Sequence, residues 1–297
     1  MARKLDSDWS RRNEPAPPAP PSAGRPPVKL SAPPFPPAGA PVRASAPELN
    51  YDLRIDLPYV VVAYASWNTL QSLNGVLAAR RCRWCSDNAV DRGVRDALRW
   101  SPSAQKTAST LSDIGANALT PALTVGLSAI LAENDDRFSA VPVDIVLTAE
   151  AVSTAGVVAQ IVKYSVGRIR PDAHALPPNE RPYDGNGQDA YVSFYSGHTS
   201  YAFSLAASAG TIASLRHYRG AGWVWAAGMS AATLTGYLRI AADKHYLTDV
   251  LSAAVVSSAI GVSVPYFFHR PVRFLVPIRP SIAPVQGGAL LTVDAQL

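Results

Sequence analysis

The stretch Leu57–Ala79, LPYVVVAYASWNTLQSLNGVLAA, runs for 23 residues without a charged side chain. A bilayer core of ~30 Å takes about 20 helical residues, so this run is long enough to cross one. Four more charge-free runs follow: Ile114–Ala132, Thr199–Leu215, Gly220–Leu238 and Val250–Phe268, of 19, 17, 19 and 19 residues. A sixth, Ile145–Val162, has 18 residues and is broken once, by Glu150. The pattern reads as all-α, a six-helix transmembrane bundle. The rival reading is a soluble bundle, because several runs are rich in Ala and Ser and the first contains Asn68, Gln71 and Asn74. Six runs near span length decide for the membrane. Glu150 is costly in lipid and is expected to face protein, with a structural partner.

Outward from these runs, the composition agrees. Of 297 residues, 48% are hydrophobic and 16% charged, against about 25% charged in soluble domains. Thirteen of the 26 prolines lie before residue 50, in runs such as EPAPPAPP. Proline fixes φ and offers no backbone donor, so residues 1–50 are expected to be a disordered Pro-rich tail. Residues 51–272 then form the domain, and 273–297 a C-terminal extension, where Ala289–Val293 alternates apolar and polar residues. The formal charge is +5, of which +3 falls in residues 1–49, from seven Lys/Arg and four Asp/Glu. The basic balance is therefore a tail effect, and no nucleic-acid partner is expected. Arg3, Lys4, Arg11 and Arg12 begin the chain, but no apolar run follows closely, so no ordinary cleavable signal peptide is read.

Six spans put both chain ends on one side, with the loops 80–113, 163–198 and 239–249 on the other. The tail, the turn Arg216–Arg219 and the C-terminal Arg270, Arg273 and Arg279 favour the chain-end side as cytoplasmic. Seven Lys/Arg in loop 80–113 argue against it. Cys82 and Cys85 stand in CRWC on the loop side. A disulfide fits an exported loop; inert thiols, or metal or redox work, are the other readings of a single CxxC.

The loop side also gathers the chemistry. KYSVGRIRP gives Lys163, Arg168, Arg170 and Pro171 at the end of the third run. FYSGHTS places Ser196, Gly197 and His198 at the start of the fourth. LRIAADKHYLTD carries Arg239, His245 and Asp249 between the fifth and sixth. Lys163, Arg170 and Arg239 are cations at the ends of separate helices, and converging cations need an anion between them. Arginine's planar fork suits phosphate. Ser196 and Gly197 open a helix, where free N–H groups favour an anion. His245 and Asp249 are four apart, so on a helix the carboxylate can hold one imidazole nitrogen and aim the other. His198 is a second histidine, available as a general acid. The set reads as phosphoryl transfer by side chains, with no metal or other cofactor. These residues do not decide which histidine attacks.

The three segments resemble the signature of the type 2 phosphatidic acid phosphatase (PAP2) superfamily, which also holds bacterial acid phosphatases and vanadium haloperoxidases. The first part, a lysine, six residues and Arg-Pro, is complete in Lys163, Arg170 and Pro171. The second, Pro-Ser-Gly-His, appears as Tyr195, Ser196, Gly197 and His198. The third, Ser-Arg, five residues, His, three residues and Asp, appears as Leu238, Arg239, His245 and Asp249. The tyrosine and the leucine depart from the pattern at positions that frame the site. The resemblance spans about residues 57–270. It implies a PAP2-type bundle in which His245 attacks phosphorus to form a phosphohistidine, Asp249 orients it, and His198 protonates the leaving oxygen. Lys163, Arg170, Arg239, Ser196 and the Gly197 amide would hold the phosphate. The spans favour a phosphorylated lipid as substrate, and the resemblance implies a multi-pass protein of the bacterial inner membrane, its site facing the periplasm. Alternatives on the same residues are a soluble or exported acid phosphatase, a haloperoxidase needing vanadate and peroxide, and a membrane protein that only binds phosphorylated lipid.

Other features are set aside. YDGNGQD (Tyr183–Asp189) fails as a calcium loop, lacking the sixth-position glycine and the twelfth-position glutamate, and reads as a loop near a substrate entrance. His174, His217 and His269 have no evident partners. Asp113 falls near a span end that faces the site. Asp91–Trp100 suits an amphipathic helix on the membrane surface.

Overall fold

The computed structural model describes residues 47–177, 179–181, 189–271, 279–285 and 288–294. Six long helical segments build the bundle: α1 (Leu53–Ser72), α3 (Gln105–Asn134), α4 (Val141–Val166), α5 (Gly197–Leu215), α6 (Ala221–Ala241) and α7 (Leu247–Val264). A shorter α2 (Ala89–Leu98) stands between the first two. Three segments, Gln105–Asn134, Phe138–Val166 and Leu247–His269, are long and apolar enough by length and composition to cross a membrane. The all-α reading holds for the bundle. The extension adds an antiparallel hairpin, β1 (Arg279–Val285) with β2 (Gly288–Asp294), in the register Arg279↔Asp294 to Val285↔Gly288. The alternation noticed at Ala289–Val293 lies in its second strand.

Helix α5 is the central post, packing against α4, α6 and α7. Its Ala and Ser are buried on nearly every face, which explains a composition that also suited a soluble bundle. Small residues let helix backbones approach closely. A Cβ on Gly261 would stand 2.6 Å from the Ser204 carbonyl oxygen, and one on Gly210 would stand 2.5 Å from the Trp225 ring. The outer surface is inverted relative to a soluble protein. Val62, Val255, Phe267, Phe268 and Trp223 are each at least 65% exposed. Apolar area on that scale marks a lipid-facing surface.

Each helix end is set by its own chemistry. Asp52 caps α1 by accepting from the Arg54 N–H at 2.9 Å. Pro142 opens α4 at a position where its missing N–H costs nothing. Gly167 ends α4 at φ +60°, a left-handed turn for which glycine is the favoured residue. Arg83 then donates to the freed carbonyls of Tyr164 and Ser165 at 3.2 and 3.1 Å. An arginine that argued against the topology therefore has a structural task.

Three expectations are corrected. The proposed tail ran to residue 50, of which 1–46 lie outside the described residues, but Leu49 is buried against Val143, Leu147 and Ile212, because a lone apolar side chain gains by docking. His269 does have a partner: its Nε2 lies 2.7 Å from Glu150 Oε2, and Nδ1 lies 3.0 Å from the Asn50 carbonyl. This is the protein-facing partner expected for Glu150. His174 likewise meets the Tyr246 hydroxyl at 3.1 Å. Helix α2 directs Asp91 and Arg95 toward the protein and leaves Val90 and Leu98 exposed. Arg95 grips Asp243 through two 2.6 Å bonds, and Asp91 is wholly buried.

Candidate active site

The three sequence segments meet at one end of the bundle. The C-terminus of α4 supplies Lys163, and the chain leaving it supplies Arg170. The start of α5 supplies Gly197 and His198. The last turn of α6 supplies Arg239, and the link to α7 supplies His245. All six line one cavity of about 1240 Å³.

His245 is buried, with Nδ1 2.8 Å from the Ser193 carbonyl oxygen. A carbonyl only accepts, so Nδ1 carries the proton and Nε2 keeps its lone pair. Nε2 lies 3.5 Å from Arg170 Nη1. Burial holds the imidazole well below its ordinary value of 6.5, and Arg170, Arg239 and Lys163 push the same way. The ring is therefore neutral, with its unprotonated nitrogen on the side of the cations.

Asp249 was expected to hold that ring directly. Its Oδ2 lies 3.7 Å from Nδ1, beyond hydrogen-bond range. It instead accepts from the Ser193 hydroxyl at 2.6 Å and the Tyr246 N–H at 3.0 Å. It thus fixes the residue whose carbonyl fixes the histidine. Behind it, Arg168 donates to Asp249 at 2.5 Å and to Asp91 at 2.6 Å, all three fully buried. The Arg168 guanidinium lies between the Trp84 and Tyr246 rings, 4.1 and 4.3 Å from their centroids. Trp84 is presented by the loop closed by the Cys82–Cys85 disulfide, which joins the Gly167 carbonyl through the Arg83 N–H at 2.9 Å.

The cations retain donors for a ligand. Arg239 donates Nη1 to Ser112 at 3.0 Å, while its buried Nε has no partner among the described residues. Lys163 has no hydrogen bond or ion pair among the described residues. Its Nζ stands 2.7 Å from where a Gly197 Cβ would be, so the glycine makes room for the ammonium beside the helix start. Arg170 is held by the Asp189 carbonyl at 2.5 Å. A buried guanidinium N–H and an ammonium left open toward one cavity suit an oxyanion.

His198 Nε2 lies 2.7 Å from Asp113 Oδ1, and Asp113 is 3.9 Å from Arg239. Asp113 therefore faces the site and orients this second histidine. Ser196 is not brought to the cavity. It is buried at the cap of α5, its hydroxyl engaged with the Thr199 N–H at 3.4 Å and hydroxyl at 2.9 Å. Tyr195 is buried against Ala159 and Ala253, and Leu238 against Ala108 and Ala241. Both residues that depart from the family pattern thus sit in the packing behind the site. The YDGNGQD stretch, save Asp189, lies outside the described residues. Asp91, Ser193, Thr248 and the role of Arg168 escaped the sequence reading.

The sequence profile of the PAP2 superfamily matches residues 144–273. A lipid A 1-phosphatase from Porphyromonas gingivalis is 34% identical over 99 residues, which are 33% of this chain and 18% of that protein. The matched part thus spans under a fifth of the relative's length. Among solved structures, a transmembrane PAP2 type phosphatidylglycerolphosphate phosphatase from Bacillus subtilis is similar at a TM-score of 0.42 and 17% identity. That match covers 73% of this chain and 96% of the other.

Proposed function

We propose, from the premise that this chain carries a PAP2 superfamily domain, that it is a phosphatase acting on a phosphorylated membrane lipid through a phosphohistidine. The observation that carries this reading is His245. Its Nδ1–H is tied to the Ser193 carbonyl, and its Nε2 lies in a cavity ringed by Lys163, Arg170 and Arg239.

In the first step, Nε2 forms a bond to phosphorus as the bond from phosphorus to the substrate oxygen breaks. The electron pair stays on that oxygen, which takes its proton from His198, held by Asp113. Lys163, Arg170, Arg239 and the Gly197 amide neutralise the charge that builds on the phosphoryl oxygens. In the second step, water gives a proton to His198, attacks phosphorus and frees His245. Every proton in this scheme moves through side chains and water.

The lipid assignment is supported by the apolar outer surface and by the likeness to a lipid A 1-phosphatase. A periplasmic site is supported by the disulfide beside it, since such bonds persist in oxidising compartments. Residues 51–272 are read as the catalytic domain and 273–297 as an appendage.

The test is phosphate release by detergent-purified protein, in EDTA, from several lipid phosphates and one soluble ester, beside His245→Ala. Release from lipids, abolished in the variant, is expected. Folded wild-type protein that releases nothing while still binding inorganic phosphate would make this a binding protein instead. Release confined to the soluble ester would remove the lipid.

A further inference from the structure

A second group of ionisable side chains lies away from the phosphate cavity. Asp56 stands in the first turn of α1, Glu150 within α4, and His269 at the end of the last apolar segment, Leu247–His269. On α4 the distance from Glu150 to Lys163 is about 20 Å along the helix axis. None of the three residues lines the cavity. They are 8%, 5% and 4% exposed, in the order given. A buried carboxylate is costly unless it is paired, and here two are buried together.

The orientation of the imidazole is fixed from outside the group. Nδ1 lies 3.0 Å from the Asn50 carbonyl oxygen, which only accepts, so Nδ1 carries a proton. The Asn50 N–H in turn donates to the His269 carbonyl at 2.9 Å. Nε2 is therefore the nitrogen turned toward the acids, 2.7 Å from Glu150 Oε2. A second proton on Nε2 would satisfy that one contact. It would still set one imidazolium against two carboxylates. The Asp56 carboxylate accepts the Asp52 backbone N–H at 2.8 Å, and no Lys or Arg pairs with either acid among the described residues. One buried negative charge is left without a counter-charge.

A divalent cation answers both the charge and the geometry. Ligand atoms of the three residues all lie within 4.8 Å of one another. Histidine nitrogen and carboxylate oxygen bind zinc at about 2.0–2.2 Å, so two of them at right angles stand about 3 Å apart. The contact of Nε2 with Glu150 is close to that spacing. A metal-bound histidine donates its other N–H to a carbonyl or carboxylate, which is the bond Nδ1 makes to Asn50. One nitrogen and two carboxylates, with no sulfur, suit zinc or manganese. We infer that Asp56, Glu150 and His269 form a binding site for one divalent transition-metal ion. The ion would fasten α1, and the chain just before it, to α4 and to the end of the last helix. This site takes no part in the phosphatase reading and does not depend on it.

The experiment uses the full chain in detergent, freed of any histidine tag, stripped with EDTA and dialysed. Zinc alone is the first probe, and manganese alone the second. Elemental analysis after gel filtration is expected to find one zinc per wild-type chain. Zinc at a hundredfold excess over its Kd should raise Tm by about 5–10 °C. Asp56→Asn keeps the contact between Glu150 and His269 but removes one ligand charge. It should weaken zinc binding by at least about tenfold, since loss of even an outer partner costs roughly 10–100-fold. Glu150→Gln should do the same, and remains informative if Asp56→Asn does not fold. Stabilisation by zinc that is strong in wild type and weak in the variants establishes the site, because a purely structural contact has no dependence on metal. Zinc that binds wild type and both variants equally sits elsewhere and overturns it. Wild type that neither retains nor is stabilised by zinc or manganese overturns it as well, and leaves the three residues as a hydrogen-bonded cluster.

Discussion

Arg168 reaches Asp249 at 2.5 Å, with both side chains fully buried and 81 residues apart in sequence. Asp91 completes the group on the other side of the guanidinium, at 2.6 Å. Two carboxylates and one guanidinium leave one negative charge behind His245, opposite the three cations of the cavity. The first prediction concerns that charge. Asp91→Asn should lower kcat on the order of tenfold, about 1.4 kcal/mol of barrier, because the positive phosphorylated imidazole loses its counter-charge. Arg168→Ala should cost about 3–5 kcal/mol of stability by leaving two carboxylates buried together. Turnover and denaturant unfolding in detergent read the two effects. Wild-type turnover in Asp91→Asn would show that the cluster serves folding alone.

A second prediction follows from the empty space over Gly197. In Gly197→Ala the new methyl would meet Lys163 Nζ at 2.7 Å. The ammonium is the end of a flexible chain and can swing away, so the fold should survive. Phosphate binding should weaken about 10- to 100-fold, the range for a lost charge-assisted hydrogen bond. Competitive inhibition by inorganic phosphate measures it.

The third is a pH dependence of stability. The buried His245 has a folded-state pKa below its unfolded value of 6.5. Between those two values the unfolded chain binds a proton that the folded chain refuses. Stability should therefore fall as pH drops below 6.5, by up to about 1.4 kcal/mol per pH unit for one group. Unfolding at pH 7.5 and 5.5 should show a steeper loss for wild type than for His245→Gln. Equal slopes would mean that the ring takes up its proton equally in both states.

At the opposite end of the bundle, Glu150→Ala should destabilise by about 3–5 kcal/mol, because His269 would remain buried without its partner. His269→Ala should do the same. The double variant should cost less than the sum of the two, which a double-mutant cycle reads directly. A coupling near zero would make the 2.7 Å contact incidental.

The CRWC loop gives a fifth. Cys82→Ser should cost about 2 kcal/mol, the loop-closure value for so short a ring. It should also lower turnover without abolishing it, since Trp84 would cover Arg168 less firmly. Reductant applied to wild type should reproduce both effects, and full activity with both cysteines replaced would separate the loop from catalysis.

The parts of this site that were legible in the sequence are those with fixed spacing. Lys163 to Arg170, and His245 to Asp249, are each close in sequence across one helix end, and the charge-free runs marked where the six long helices fall. What escaped reading is held by contacts across long stretches of chain or by backbone atoms. Asp91 finds Arg168 across 77 residues, in a stretch that reads as surface helix. The Ser193 carbonyl has no side-chain signature at all, so Asp249 was assigned the bond that a backbone oxygen makes. Ser196 illustrates the reverse case. Serine at a helix start is as good a cap as a phosphate ligand, and here the cap takes the hydroxyl.

The way α1 is mounted has a consequence for how such a protein diversifies. Every phosphate-facing group stands on or beside α3 to α7, the helices gathered around α5, whereas α1 rests chiefly on α4. One wall of the cavity is therefore carried by a helix that holds none of those groups. Substitutions at Trp67 or Gln71 alter what surrounds the leaving group while the nucleophile, its carbonyl anchor and the cations stay in register. A lineage of such chains is free to reshape that wall by editing a single peripheral helix, with the hydrolytic end inherited unchanged.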